Sequence, residues 1–233
     1  MDSLFPQAAL GMSGFHLLNV GIHVLAGTVA LLAGLVALVV RKRAGRHTQF
    51  GRYFVWLLAL VVVTALLGFV LFRSNSFLLM LTLLAGYVGY AGYRTTQLRE
   101  RRSSGRDMLI AVVALVAGVA YLGWLKQSSG NWSASVVYST LAALVLVTSY
   151  DIIKHLWFHE RLKRWWLYEH IYKMVSAYSA ILSAFTGSVF PDYKPYSQLG
   201  PTVLCLWVMV YFIVRTLRQQ RKRKQLSSLT PLS

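Results

Sequence analysis

Charge is the first thing this sequence is short of. Asp, Glu, Lys and Arg make up 13% of its 233 residues, about half of what a soluble domain uses to cover its surface. Acids are scarcer still, seven against 24 Lys and Arg, for a net charge of +17. The single cysteine, Cys205, excludes an internal disulfide framework and a cysteine-based metal site. No Lys or Arg precedes the first apolar run, so the basic n-region of a cleaved signal peptide is missing. That run, about 16–40, is also too long for the apolar part of such a peptide. Polar stretches long enough for a soluble module are absent, so residues 1–233 read as a single membrane domain. A charge of this size in a soluble protein points to nucleic acid. Here the basic residues sit between hydrophobic runs, and no nucleic-acid partner is expected.

What is present is a series of apolar runs of bilayer-crossing length, which takes about 20 residues. Seven are legible, at 15–40, 53–72, 77–93, 108–125, 134–157, 166–190 and 200–214. The expected fold is therefore an all-α, polytopic transmembrane helical bundle of seven helices. The segments between the runs alternate in charge. Segments 41–52, 94–107, 154–165 and 215–225 carry 20 Lys and Arg, while 73–76, 126–133 and 190–199 carry three, and Lys173 lies inside a run. Basic loops stay in the cytoplasm, which puts the N-terminus outside and the tail 215–233 inside. The expected location is the inner (plasma) membrane, with anionic lipid headgroups meeting the basic loops. Trp157, Trp165 and Trp166 mark one interface and Trp124 and Trp132 the other.

Two stripes of small residues suggest where helices approach closely. The first run carries Gly27 and Gly34 among alanines; the third carries Gly86, Gly89 and Gly92, each followed by tyrosine. Such faces also suit homo- or hetero-oligomers. The sixth run is the most polar. Glu169, His170, Lys173, Ser176, Ser179 and Ser183 recur along it, a stripe expected to face protein or water rather than lipid. Glu169 and Lys173 are four apart, the spacing of an ion pair along a helix.

The histidines form two groups. Asn19 and His23 share a face of the first run with His16, in its outer half. His155 and His159 are four apart, the spacing of a helical chelate, with Asp151 one turn earlier to orient His155 and His170 close by. A metal ion held by His155, His159 and His170 is one expectation. Haem is another, although His23 and His170 lie at depths too different to share one iron.

The stretch from His23 to Gly34, followed by a basic loop with Gly45, Arg46, His47, Gly51 and Arg52, resembles an uncharacterised family of bacterial predicted membrane proteins. That family is a domain of unknown function. His170, Met174, Ala184 and Phe185 extend the likeness. His47 is followed by Thr48 where the family has arginine. The resemblance implies a multi-helix bacterial inner-membrane protein and no particular activity.

Two function classes follow. One is a non-enzymatic membrane protein, a small transporter, permeation pathway or accessory subunit built around the polar sixth run. The other is a membrane redox or metal-binding protein using His23 or the His155, His159 and His170 group. No nucleophile, base and acid assemble in the sequence, so no catalytic residue is assigned. The orientation is checked by thiol labelling in a Cys205→Ala background. Ser129→Cys and Lys194→Cys should react from outside with an impermeant reagent. Gly45→Cys, Ser103→Cys and Lys222→Cys should react only after permeabilisation, and the reverse pattern overturns the orientation.

Overall fold

The computed structural model describes residues 14–41, 45–72, 76–127 and 134–229, which contain no strand. The long helices are α1 (Gly14–Val39), α2 (Arg46–Phe72), α3 (Ser76–Leu98), α4 (Gly105–Gln127) and α5 (Ala134–Ile153). A π-helical turn at Lys154–Phe158, the one-turn α6 (His159–Leu162) and a 3₁₀ turn at Lys163–Trp165 lead into α7 (Trp166–Val189). A 3₁₀ turn at Pro191–Tyr193 precedes α8 (Tyr196–Leu229). Trp132, residues 1–13 and 73–75, the site of Ser129→Cys and the last four residues of the tail lie outside the described residues.

Five described stretches are long and apolar enough to cross a membrane: Gly14–Val39, Arg46–Leu71, Gly105–Trp124, Val136–Val189 and Tyr196–Lys222. Two differences from the seven expected runs stand out. The fifth and sixth runs form one helical path of 54 residues. Straightened, it would place Asp151 and Lys173 about 33 Å apart. Their side chains are 2.6 Å apart, so the path reverses within 154–165. The third run, α3, is not among the five stretches. Its second half is rich in Gly, Tyr and Thr, and α2, α4, α5 and α7 pack around it. A helix walled by protein does not need a lipid-compatible surface.

Helical hydrogen bonding continues beyond the apolar runs. The basic residues Arg46 and Arg52 belong to α2, and the basic tail is helical to Leu229. Gly45, at φ +118°, supplies the left-handed turn that starts α2. His47 places Nδ1 2.9 Å from the Ala37 carbonyl, satisfying one of the orphan acceptors at the end of α1. Pro201 lies inside α8 and brings no N–H for the Ser197 carbonyl four residues earlier. Thr186 of α7 donates to that carbonyl instead, at 2.5 Å.

Contacts fix the packing. α1 lies along α2, and α3 is sandwiched between α2 and α7. α4 pairs with α5, and α8 rests on the outside of α7. Residue pairings show that successive long helices run antiparallel: His23 with Thr64, Tyr90 with Asp107, Ser183 with Thr202. All four basic segments therefore collect at one end of the bundle. The core is made where glycines admit neighbours. A Cβ on Gly92 would meet Met174 Sδ at 2.8 Å and Lys173 Cβ at 3.1 Å; one on Gly89 would collide with Leu58. A Cβ on Gly34 would collide with Tyr178 and Phe54, at 2.6 and 2.9 Å. One on Gly86 would come to 3.4 Å from Val62, and one on Gly27 would meet only Val61, at 3.8 Å. Gly118, unremarked in the sequence, lets α4 approach α5: a Cβ there would lie 2.6 Å from Leu144.

The glycines should therefore differ in tolerance. Gly92→Leu overpacks the α3–α7 contact and should cost about 1–3 kcal/mol. Gly27→Ala has room, and should be neutral or stabilising by up to about 1 kcal/mol because alanine loses less backbone entropy. Unfolding of both variants in nanodiscs checks this. Equal melting of Gly92→Leu and the unsubstituted protein would refute the packing described.

Candidate functional site

Tyrosines of α3 lead to the site. Tyr87 and Tyr90 follow Gly86 and Gly89, so while the glycines meet α2 and α7 the phenols reach α5 and α4. Tyr87 donates to Asp151 Oδ2 at 2.6 Å, and Tyr90 to Asp107 Oδ1 at 2.5 Å. Asp107 also takes a two-pronged bond from Arg94, at 2.8 and 2.9 Å. It caps α4 as well: the Ser104 N–H donates to it at 2.9 Å while the Ser104 hydroxyl lies 3.4 Å from the Asp107 N–H. That reciprocal arrangement is a capping box, so Asp107 is a structural tether between α3 and α4.

The second part is more deeply placed. Lys173 of α7 is 3% exposed and Glu169, one turn before it, 4%. Lys173 Nζ lies 2.6 Å from Asp151 Oδ1 and 4.0 Å from Glu169 Oε2. Glu169 Oε1 in turn accepts from Lys154 at 2.5 Å and Tyr150 at 2.9 Å. The charges form a chain, Lys154 to Glu169 to Lys173 to Asp151 to Tyr87. With Arg94 and Asp107 they line a cavity of about 60 Å³ between α3, α4, α5 and α7, at the basic end of the bundle. It is lined by three of the seven acids in the sequence, by the three cations paired with them, and by Arg99 and Arg101. Well-packed apolar side chains would stabilise such a place as well as or better than buried ion pairs. Charged groups within membrane-depth protein mark functional pathways by default.

The expected Glu169–Lys173 pair is thus the longer of two contacts, and Asp151 is the closer partner of Lys173. Asp151 faces α3 and α7, where it binds Tyr87 and Lys173, and His155 is partnered by Ser103 instead. Signals for this were present: aspartate inside an apolar run, and tyrosines in step with glycines.

The polar stripe of α7 divides. Its outer part turns to α8, where Ser183 lies 3.1 Å and Ser179 3.5 Å from the Thr202 hydroxyl. Ser176 is half-buried between the two parts.

His155, His159 and His170 do not converge, and among the described residues no three His, Cys, Asp or Glu side chains are grouped to hold a metal. The π turn interrupts the α register in which four-residue spacing was read. His155 lies 2.7 Å from Ser103, and Arg102 donates to its carbonyl at 2.7 Å. His159 faces the exposed Glu160 at 3.9 Å. His170 sits 3.2 Å from the Gly92 carbonyl, with its ring edge-on to His47.

Asn19 and His23 meet in the other half of the bundle. Asn19 donates to the Thr64 carbonyl at 3.0 Å, and His23 Nδ1 lies 2.9 Å from the Thr64 hydroxyl. Both line a second cavity, between α1, α2, α3 and α7. No family model matches the chain, and no curated protein or solved structure does.

The charge chain predicts its own coupling energies. Lys173→Met alone strands Asp151 and should cost about 3–5 kcal/mol; adding Asp151→Asn should recover part of it. A double-mutant cycle should give Lys173 a stronger coupling to Asp151 than to Glu169. Equal couplings, or none, would contradict the geometry.

Proposed function

We propose that the chain is a seven-span protein of the bacterial inner membrane, N-terminus outside and C-terminus in the cytoplasm. In this reading it works as a small, non-enzymatic transporter through its charged cavity. The observation that carries the reading is Lys173, buried at 3% exposure between two carboxylates at 2.6 and 4.0 Å. Five apolar stretches, the reversal at 154–165 and the enclosed α3 support seven passes. The collection of every basic segment at one end supports the orientation. The bacterial membrane follows the family resemblance.

A transporter needs an element with two discrete arrangements. Lys173 has two acceptors within reach on different helices. With Asp151 ionised it stays on α5; a proton on Asp151 removes that attraction and leaves Glu169 as the remaining charge. Tyr87 and Lys154 then hold the two carboxylates in place while the ammonium shifts. One proton thereby changes the tie between α5 and α7.

Proteoliposomes containing a pH-sensitive dye, with an inside-negative potential set by outward potassium diffusion, test the reading. Protein-containing vesicles should acidify faster than empty ones. The matched variant Asp151→Asn with Lys173→Met, which keeps the network neutral, should lose at least about 90% of that flux, the scale of removing a committed proton site. Wild-type vesicles no faster than empty ones, or an unchanged variant, would refute proton-linked transport.

A further inference from the structure

The cavity beside His23 has a chemistry of its own. Its volume is about 300 Å³. An apolar cavity of about 150 Å³ holds one benzene, so this one has space for a two-ring body. Its walls are largely aliphatic, with Phe69 and Phe185 at the ends of its lining. Sites of this size, apolar with a few converging polar groups, are the usual form of small-molecule sites.

His16, Thr28, Thr82 and Ser188 are among the polar lining, and one group, Asn19, His23 and Thr64, is tied together and held in position. The Thr64 hydroxyl donates to the Leu60 carbonyl at 2.9 Å, within its own helix. Its oxygen is thereby left to accept from His23 Nδ1–H at 2.9 Å. Asn19 spends its amide N–H on the Thr64 carbonyl. Neutral imidazole then presents Nε2 as an acceptor and the carboxamide presents Oδ1. The Val61 carbonyl also lies against the imidazole. Among the described residues, no charged side chain lines the cavity. Val20 and Val24 line it and are also 40% and 55% exposed on the outer surface of α1. The cavity is therefore open to the outside of the bundle at α1 rather than sealed by it.

We infer that this cavity binds a small neutral, lipid-soluble molecule with a two-ring apolar body and one hydroxyl, the hydroxyl bonding to His23 and Asn19. A hydroxyl both donates and accepts, so it satisfies that group in either imidazole tautomer. A charged ligand finds no counter-ion there. A plain hydrocarbon chain leaves the polar group without a partner, which disfavours it. The site is independent of transport: it sits in the opposite half of the bundle from the charge chain, and its occupancy is measured without flux.

The probe is 2-naphthol, followed by its fluorescence in nanodiscs carrying the full chain, with empty nanodiscs as reference. Saturable one-to-one binding above lipid partition is expected. Naphthalene, which lacks the hydroxyl, should bind at least about tenfold more weakly, the discrimination of one hydrogen bond. His23→Leu should remove that difference. Gly27→Leu should abolish binding of both probes, since its Cβ meets nothing closer than Val61 at 3.8 Å and the rest of the side chain enters the cavity. Ala65→Phe is a second filler at another wall. Simple partition of 2-naphthol, equal binding of naphthalene, or unchanged binding in a filler variant that melts normally would each overturn the inference.

Discussion

The close approach of α3 to α7 organises the rest of the molecule. At Gly92 the backbone of α3 lies against Met174 and the stem of Lys173, with no space for a methyl group. That contact holds Lys173 within the bundle. It also turns the tyrosines of α3 the other way, toward the aspartates of α4 and α5. Hydrocarbon solvent gives no hydrophobic drive between helices, so packing of this kind and interhelical hydrogen bonds have to supply association. Here both come from one helix: glycines on one side, phenols on another. A side chain at Gly92 would push α7 outward and lengthen its contacts to Lys154 and Asp151 together.

α7 divides its work along its length. Its inner turns present Glu169 and Lys173 to α3 and α5, while its outer turns use Ser179, Ser183 and Thr186 to hold α8. A different outer face, at Ala180, Ile181 and Ala184, forms part of the wall of the cavity near His23. Between the cavities lies a dry layer with Val88 and Ala177, both at 0% exposure. The two cavities thus share helices, with Val88 and Ala177 packed between them.

Much of the architecture was legible in the sequence because it depends on local composition. Apolar length, the alternation of basic segments and the small-residue stripes are each readable from a window of about 20 residues. The burial of Glu169 and Lys173 followed from the cost of facing them to lipid. What local reading missed depends on where distant segments meet. The true partner of Lys173 is 22 residues away, across a reversal at 154–165. The four-residue spacing of His155 and His159 assumed continuous α-helix, and a π turn occupies that place. Gly27 and Gly92 look alike in their stripes; only the neighbouring helix makes one open and the other tight. Length likewise fails to reveal enclosure: α3 was among the shortest runs and is the helix with most neighbours around it.

The charge chain is balanced, and that balance decides how the molecule experiences a voltage. Arg94, Lys154 and Lys173 offset Asp107, Asp151 and Glu169, so these paired groups carry dipoles without a net charge, while Arg99 and Arg101, which also line the cavity, are exposed. An electric field across the membrane can tilt such an assembly but exerts no net force on it. The arrival of one extra proton changes that, because the cluster then holds a single elementary charge within low-dielectric surroundings. A charge carried fully across gains or loses about 2.3 kcal/mol per 100 mV. In the proposed transport reading, the paired groups are electrically silent until they take up a proton and voltage-sensitive once they hold it.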